Sequence, residues 1–292
     1  MRHAFIVKRF GPVRHGLIVE ANRIIEDYQE QGYRLTLRQL FYQMVSRNLL
    51  PNTERAYKGL GETISDGRLA GVIDWEAIED RIRVPRRPPE FEDLADLAEA
   101  ALRSYRLPRW KGQTYYVELW VEKDALAGVL APLSLEAHVT MMVNRGYSSQ
   151  SAMFEAGARF RRAAQEGRNC VLLYLGDHDP SGEDMVRDVQ DRLNLFGADV
   201  AVIKLALTMA QVQQYNPPPN PAKLSDSRAA GYIEKHGASS WEVDALPPEV
   251  LVRLIRRAFR GLIDAEKMQA QVAREETDKA ALREAIKNLP GT

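Results

Sequence analysis

The stretch Val171-Leu172-Leu173-Tyr174-Leu175-Gly176-Asp177-His178-Asp179-Pro180-Ser181-Gly182 constrains this chain more than any other. A short apolar run stops at two aspartates spaced by one residue. A proline and Ser-Gly follow, and then a polar-apolar pattern of helical period. Apolar run, turn and helix are the parts of a βα unit with a buried parallel strand. In open α/β sheets, functional groups gather just past the carboxyl ends of strands, which is where Asp177 and Asp179 fall. Two neighbouring carboxylates repel each other, and a hard divalent cation relieves that repulsion; oxygen donors suit Mg²⁺. A helix N-cap aspartate beside a solvated turn aspartate would read the same way without a metal.

The remaining pattern supplies the rest of such a sheet. Thr114 to Val121 is rich in β-branched and aromatic residues and predicts a strand, ending in Glu122-Lys123-Asp124. A helix is expected from about Ala125, a short strand over about 138–143, and a turn at Asn144-Arg145-Gly146-Tyr147. A helix through Met153, Phe154, Ala158 and Phe160 follows. Beyond the Asp177 stretch come a helix through Met185, Val189 and Leu193 and a strand over about 200–205. Strands alternating with helices imply a four-stranded parallel sheet flanked by helices. If the strands before Glu122 and Asp177 are neighbours, Glu122, Asp177 and Asp179 converge on one Mg²⁺ site.

The 292 residues allow roughly two domains, and the first looks different. Leu17, Ala21, Ile24, Ile25 and Tyr28 recur at helical spacing. Thr36-Leu37-Arg38-Gln39 is a capping box that starts a second helix. A third is expected from about Thr53 to Leu69. Helix, turn, helix is the skeleton of a DNA-binding helix-turn-helix, and Gly71 to Trp75 could supply a strand or wing. Arg55, Lys58 and Arg68 could contact phosphates or simply form a solvated face. At about 100° per residue, Leu37, Leu40, Phe41, Met44 and Val45 form one stripe, and Tyr42 lies off it with Arg38 one turn earlier. A phenol beside a guanidinium suits a group that meets a phosphate, with Arg38 lowering its pKa. A tyrosine covering neighbouring apolar atoms is the plainer alternative.

This gives four segments: a DNA-binding domain over 1–82, a linker and bridging helix over 83–113, a metal-binding sheet domain over 114–207, and a helical C-terminal extension over 208–292. The linker is the basic, proline-rich run from Arg81 to Pro89, followed by a helix between Phe91 and Arg106. In the extension, Glu242 or Asp244 could add a metal ligand; a turn aspartate ahead of a proline-started helix is the blander account of Asp244. Basic and acidic residues balance, with a pI near 7.0, so nucleic-acid binding must come from local clustering. Cys170 is the only cysteine, which excludes an intrachain disulfide or a zinc knuckle. No apolar stretch reaches transmembrane length and no signal-peptide pattern is present, so a soluble, cytoplasmic or nucleoid-associated protein is expected.

Val121-Glu122-Lys123-Asp124-Ala125 followed by Asp177-His178-Asp179-Pro180-Ser181-Gly182 resembles the Toprim domain of topoisomerases, bacterial primases and several nucleases. Arg38-Gln39-Leu40-Phe41-Tyr42 is similar to the Arg-x-x-[Tyr/Phe]-Tyr motif of a narrower group, the topoisomerase VI A subunit and the related meiotic double-strand-break transesterase. Asn144-Arg145-Gly146-Tyr147 resembles their Gly-Lys-Gly-aromatic turn, with Asn and Arg as departures. The order of winged helix, linker and Toprim domain matches, and the resemblance runs from about Leu35 to Leu205.

The resemblance implies a type IIB topoisomerase-like enzyme that cleaves double-stranded DNA with Mg²⁺. Tyr42 would attack the phosphodiester and become joined to a 5′ end, with Arg38 orienting the phosphate. Glu122, Asp177 and Asp179 would hold Mg²⁺, with Glu122 alternatively shuttling a proton, and Lys123 and Arg145 would meet DNA. It also implies a homodimer in which each tyrosine serves the other chain's metal site, and an ATPase partner subunit unless this shorter relative acts alone. Two other readings stay open: a Toprim nuclease hydrolysing DNA with metal-activated water, and a non-catalytic DNA-binding protein.

Overall fold

The computed structural model describes residues 1–78, 88–144 and 146–287. Its centre is a four-stranded, all-parallel sheet made of β1 (Tyr115–Val121), β2 (Thr140–Val143), β3 (Asn169–Leu175) and β4 (Ala201–Ala206), in the order β2-β1-β3-β4. The strands are apolar on both sides because helices cover both sides. On one face Val117, Leu119, Val121, Val171, Leu173 and Leu175 pack with α5 (Ala127–Ala137) and α10 (Pro248–Leu262) through Leu130, Leu251, Ile255 and Phe259. On the other, Trp120, Leu172 and Tyr174 pack with α6 (Gln150–Gln165) and α7 (Pro180–Leu195) through Met153, Phe160, Met185 and Val189. The expected α/β class is therefore observed, a parallel sheet between helical layers.

Two of the boundaries that differ from the sequence reading flank α5. The helix expected from Ala125 opens with a 3₁₀ turn over Asp124–Leu126 before α5 begins. The strand expected from about 138 starts at Thr140, because His138 adopts a left-handed conformation (φ 52°) that caps α5 and Val139 N–H closes back on Ser134 C=O.

The N-terminal part is a three-helix unit of α1 (Pro12–Glu30), α2 (Leu37–Ser46) and α3 (Glu54–Leu69). Ile24, Leu40, Met44, Leu60, Ile64 and Ile73 share its core. The predicted capping box forms: Thr36 Oγ1 accepts from Gln39 N–H and Gln39 Oε1 accepts from Thr36 N–H. No strand forms over Gly71 to Trp75. The N–H groups of Val72 and Ile73 both bond to Gly67 C=O, which curls the chain under α3 and buries Ile73. Isolated bridges, Ala4 with Ala70 and Leu35 with Ile78, are the β pairing of this part among the described residues. The basic linker falls largely outside the described residues.

The segment after β4 is integral to the molecule. It runs through α8 (Met209–Tyr215), a two-residue strand β5 (Asn220–Pro221), α9 (Ala229–His236) and β6 (Ser239–Ser240), which pairs antiparallel with β5. α10 then completes one layer over the sheet. α11 (Ala265–Ile286) packs on α4 (Leu94–Ser104), the expected bridging helix. Buried Glu275 ties α11 to the chain before β1 by accepting from Leu107 N–H at 3.0 Å and Arg109 Nη2 at 3.2 Å. Among the described residues no helix is long and apolar enough to cross a membrane.

A fully buried charge lies within the sheet. Glu118 on β1 is fully buried on the α6 side. Its carboxylate is held in a bidentate pair by Arg159 of α6 at 2.7 and 2.9 Å, and also accepts from Tyr116 Oη at 2.8 Å and Trp120 Nε1 at 2.9 Å. Removing one partner of a buried pair leaves an uncompensated charge. Arg159→Met is expected to lower unfolding free energy by about 2–4 kcal/mol, read as a lower midpoint in urea. An unchanged midpoint would show that the two neutral donors suffice.

Candidate functional site

The sheet order places the site. The connection from β1 leads to β2 on one side, and the one from β3 leads to β4 on the other. Where neighbouring strands send their chains in opposite directions, a crevice opens at their carboxyl ends. β1 and β3 are paired in register to their last residues, so Glu122 and Asp177 emerge side by side. Asp177 N–H donates to Glu122 Oε2 at 3.0 Å. Glycine is needed between them: a Cβ on Gly176 would stand 2.9 Å from that same Glu122 oxygen and 2.6 Å from the Tyr174 ring.

Asp179 is the N-cap of α7, accepting from Gly182 N–H at 2.6 Å and Ser181 Oγ at 2.8 Å, with Pro180 at the first helical position. Gly182 has to be glycine, since a Cβ there would lie 2.3 Å from Asp177 C=O. Asp179 is thus a cap and a cleft residue together. A carboxylate has two oxygens, so capping through one still leaves the other to face the crevice.

The rest of the site comes from far away in the chain. Trp241 and His178 exchange backbone hydrogen bonds at 2.9 and 2.8 Å, and Val243 N–H donates to Asp177 Oδ1 at 2.9 Å. These bonds fix the segment from Trp241 to Ala245 across the crevice, between the sheet and α2. Asp244 is buried there and pairs with Arg38 Nε and Lys123 Nζ, both at 3.2 Å. Glu242 pairs with the same two cations, Arg38 and Lys123, and accepts from Asn220 Nδ2 at 3.3 Å. Lys123 also meets Asp177 Oδ2 at 2.9 Å. Asp244 is therefore more than the turn aspartate suggested by the proline after it.

Tyr42 joins this network through Arg38, whose Nη2 donates to the phenol oxygen at 3.2 Å. The helical wheel put Tyr42 outside the apolar stripe, yet it is only 4% exposed. Its ring tilts against Phe41, and the Arg38 guanidinium lies over it. The segment from Glu242 to Ala245 covers that flank of α2, which a wheel drawn for one helix does not include. The hydroxyl is at a polar edge rather than in an apolar interior. A cleft of about 220 Å³, lined by Arg38, Tyr42, Asn52, Tyr57 and Asn220, adjoins it. A second cavity of about 480 Å³ contains Glu122, Lys123, Asp177, Asp179 and Glu242, and shares Arg38 and Asn220 with the first.

The electrostatics follow from burial and neighbours. Burial, with Lys123 opposing and Glu122, Asp244 and Glu242 adding, raises Asp177 to about 7. Glu122 is raised chiefly by burial, against the Asp177 N–H and Lys123. Burial works against ionised Glu242 too, but Lys123 and Arg38 outweigh it and hold the carboxyl at about 2. The phenol of Tyr42 is pushed up, by burial first and then by Glu242, and Arg38 does not offset them. That is opposite in direction to the effect Arg38 alone was expected to have.

Carboxylates whose proton affinity is raised by burial and by neighbouring carboxylates, as for Asp177 and Glu122, are what a hard divalent cation would stabilise in ionised form. The all-oxygen donor set of Glu122, Asp177 and Asp179 fits Mg²⁺ in its chemistry. Among the described residues no three acidic, histidine or cysteine side chains are spaced as a metal cage. The Lys123 ammonium is the cation around which Asp177, Glu242 and Asp244 are arranged.

The expected DNA contacts are dispersed. Arg55 and Lys58 lie exposed on α3, where Lys58 pairs with Glu54 at 2.7 Å. Arg68 is turned inward, stacked on Trp75 and bonded to the carbonyls of Trp75 and Ile78. Arg145 lies outside the described residues. Tyr147 of the same turn donates to Asp184 Oδ2 at 2.9 Å. Asn220 and Lys204, whose Nζ donates to Asp177 C=O at 2.8 Å, were not anticipated. No spacing rule links them to Asp177.

Comparison with protein families, with curated proteins and with solved structures gives no match to this chain.

Asp244 holds two cations from a fully buried position. Asp244→Asn is expected to cost about 2–4 kcal/mol of stability, seen as a lower urea midpoint at pH 7. A change below about 0.5 kcal/mol would mean that Glu242 alone compensates both cations.

Proposed function

We propose that this protein is an Mg²⁺-dependent DNA-cleaving transesterase of the topoisomerase VI A type, with a Toprim sheet domain and a winged-helix relative as its N-terminal unit. The observation that carries this reading is the Arg38 guanidinium, which bonds the Tyr42 hydroxyl and reaches, through Glu242 and Asp244, the lysine beside the acidic cluster. A phenol, an arginine, a lysine and three acidic residues, two past strand ends and one at the start of α7, around adjoining cavities are the parts a phosphoryl transfer needs.

In this reading Arg38 places the phosphate against the phenol and Lys123 balances a second phosphoryl oxygen. The Tyr42 oxygen bonds to phosphorus and the bond to the 3′ oxygen breaks. The proton lost by the phenol is matched by the one that the leaving oxygen takes up. The products are a 5′-phosphotyrosyl end and a free 3′ hydroxyl. Mg²⁺ held by Glu122, Asp177 and Asp179 would neutralise charge on the phosphoryl oxygens. The exposed cations Arg55 and Lys58 of α3 would meet the DNA backbone outside the cleft. Cutting both strands of a duplex takes two phenols related by its dyad, so a C2 homodimer belongs to the proposal. Each phenol would work beside the acidic cluster of its own chain, where the resemblance implied the other chain's. An ATPase partner would be needed only for directed strand passage.

A second reading is favoured by one observation: the phenol is covered and held in its neutral form. A hydrolase using metal-activated water would need Tyr42 only to position DNA. The test is incubation of plasmid with Mg²⁺, followed by denaturation with and without protease before electrophoresis. The transesterase is expected to leave protein on 5′ ends, and Tyr42→Phe is expected to abolish that adduct and lower cleavage by at least about 10³-fold. Cleavage that survives Tyr42→Phe with free 5′ ends, but is lost in Asp177→Ala, would establish the hydrolase instead.

A further inference from the structure

We infer that the Glu242 carboxylate occupies the place of a DNA phosphate, so that it is a built-in competitor that the substrate must displace. This rests on the functional reading above and deepens it. The carboxylate is an anion in a ring of donors: the guanidinium of Arg38, the ammonium of Lys123 and the amide of Asn220 at 3.3 Å. The Tyr42 hydroxyl, bonded to the same Arg38 nitrogen at 3.2 Å, completes the ring. Guanidinium, ammonium and amide around one anionic group are what binds a phosphodiester, and the nucleophile would stand beside it.

The two acidic residues of this segment differ in a way that suits the role. The Asp244 side chain is fully buried and fixed between Arg38 and Lys123, so it keeps both cations in position. The Glu242 side chain is 22% exposed at the mouth of the cavity. The backbone on either side is pinned, by Trp241 to His178 and by Val243 N–H to Asp177 Oδ1. Rotation of the Glu242 side chain alone would therefore open the ring without moving the segment. With Glu242 in place, both cations that the reaction would use are already paired, and an arriving phosphate exchanges one anion for another.

The test measures binding rather than cleavage. A fluorescently labelled DNA duplex is titrated with the full chain in EDTA, by anisotropy, for wild type, Glu242→Gln, Glu242→Ala, Arg38→Ala and the double variant Arg38→Ala/Glu242→Gln, the last read against Arg38→Ala. Inorganic pyrophosphate is titrated in parallel, by the shift it causes in thermal unfolding. Both single variants are expected to bind DNA and pyrophosphate about three- to tenfold more tightly than wild type, and the gain is expected to vanish without Arg38. Equal or weaker binding by both single variants, with wild-type circular dichroism, would overturn the inference. So would a gain that persists in the Arg38→Ala background, since that is only a general loss of negative charge. A pyrophosphate gain with no DNA binding by any form would leave the anion site standing and remove the DNA-cleaving reading.

Discussion

The architecture of the site depends on two cations held by two acidic residues that come from elsewhere in the chain. Arg38 belongs to α2 and Lys123 to the turn just after β1, while Glu242 and Asp244 lie in the segment ahead of α10. Like charges in a buried cleft repel, so Arg38 and Lys123 can approach each other only with anions between them. That requirement fastens the three-helix unit to the sheet domain. It also explains why a short irregular segment crosses the crevice, where backbone bonds to His178 and Asp177 hold it in register.

The crevice itself is a consequence of strand order. A sheet ordered β2-β1-β3-β4 splits its connections between β1 and β3, and the residues just past those two strands face one opening. Glu122 and Asp177 are there because their strands pair to the last residue, and Asp179 is there because α7 must be capped. Burial raises the proton affinity of the first two, while Glu242, between two cations, is pulled the other way. One cleft thus contains carboxyls whose proton affinities are shifted in opposite directions, the arrangement from which acid, base and ligand roles are usually drawn.

The local elements were legible because their signals are local. An apolar run ending in Gly176-Asp177 specified β3, a Thr-x-x-Gln box specified the start of α2, and Pro180 after Asp179 specified the start of α7. The strand imagined over Gly71 to Trp75 failed because two amides of that stretch found the carbonyl of Gly67 within the same turn. Arg68 could not be told from a solvent-facing cation because its partners are main-chain carbonyls, which carry no sequence signature. Tyr42 was placed outside the core because a wheel records one helix and not what lies against it.

The sequence by itself determined the parallel sheet, the capping box of α2, and the positions of Glu122 and Asp177 past strand ends with Asp179 at the start of α7, since periodicity and capping act over a few residues. Only the tertiary structure decided that Arg38 meets Glu242 and Asp244, partners separated by 204 and 206 residues. It alone decided that Tyr42 is covered and that Lys123 sits among the carboxylates. Long-range ion pairs have no period and no spacing; they are chosen by which buried charges the packed chain leaves to be compensated.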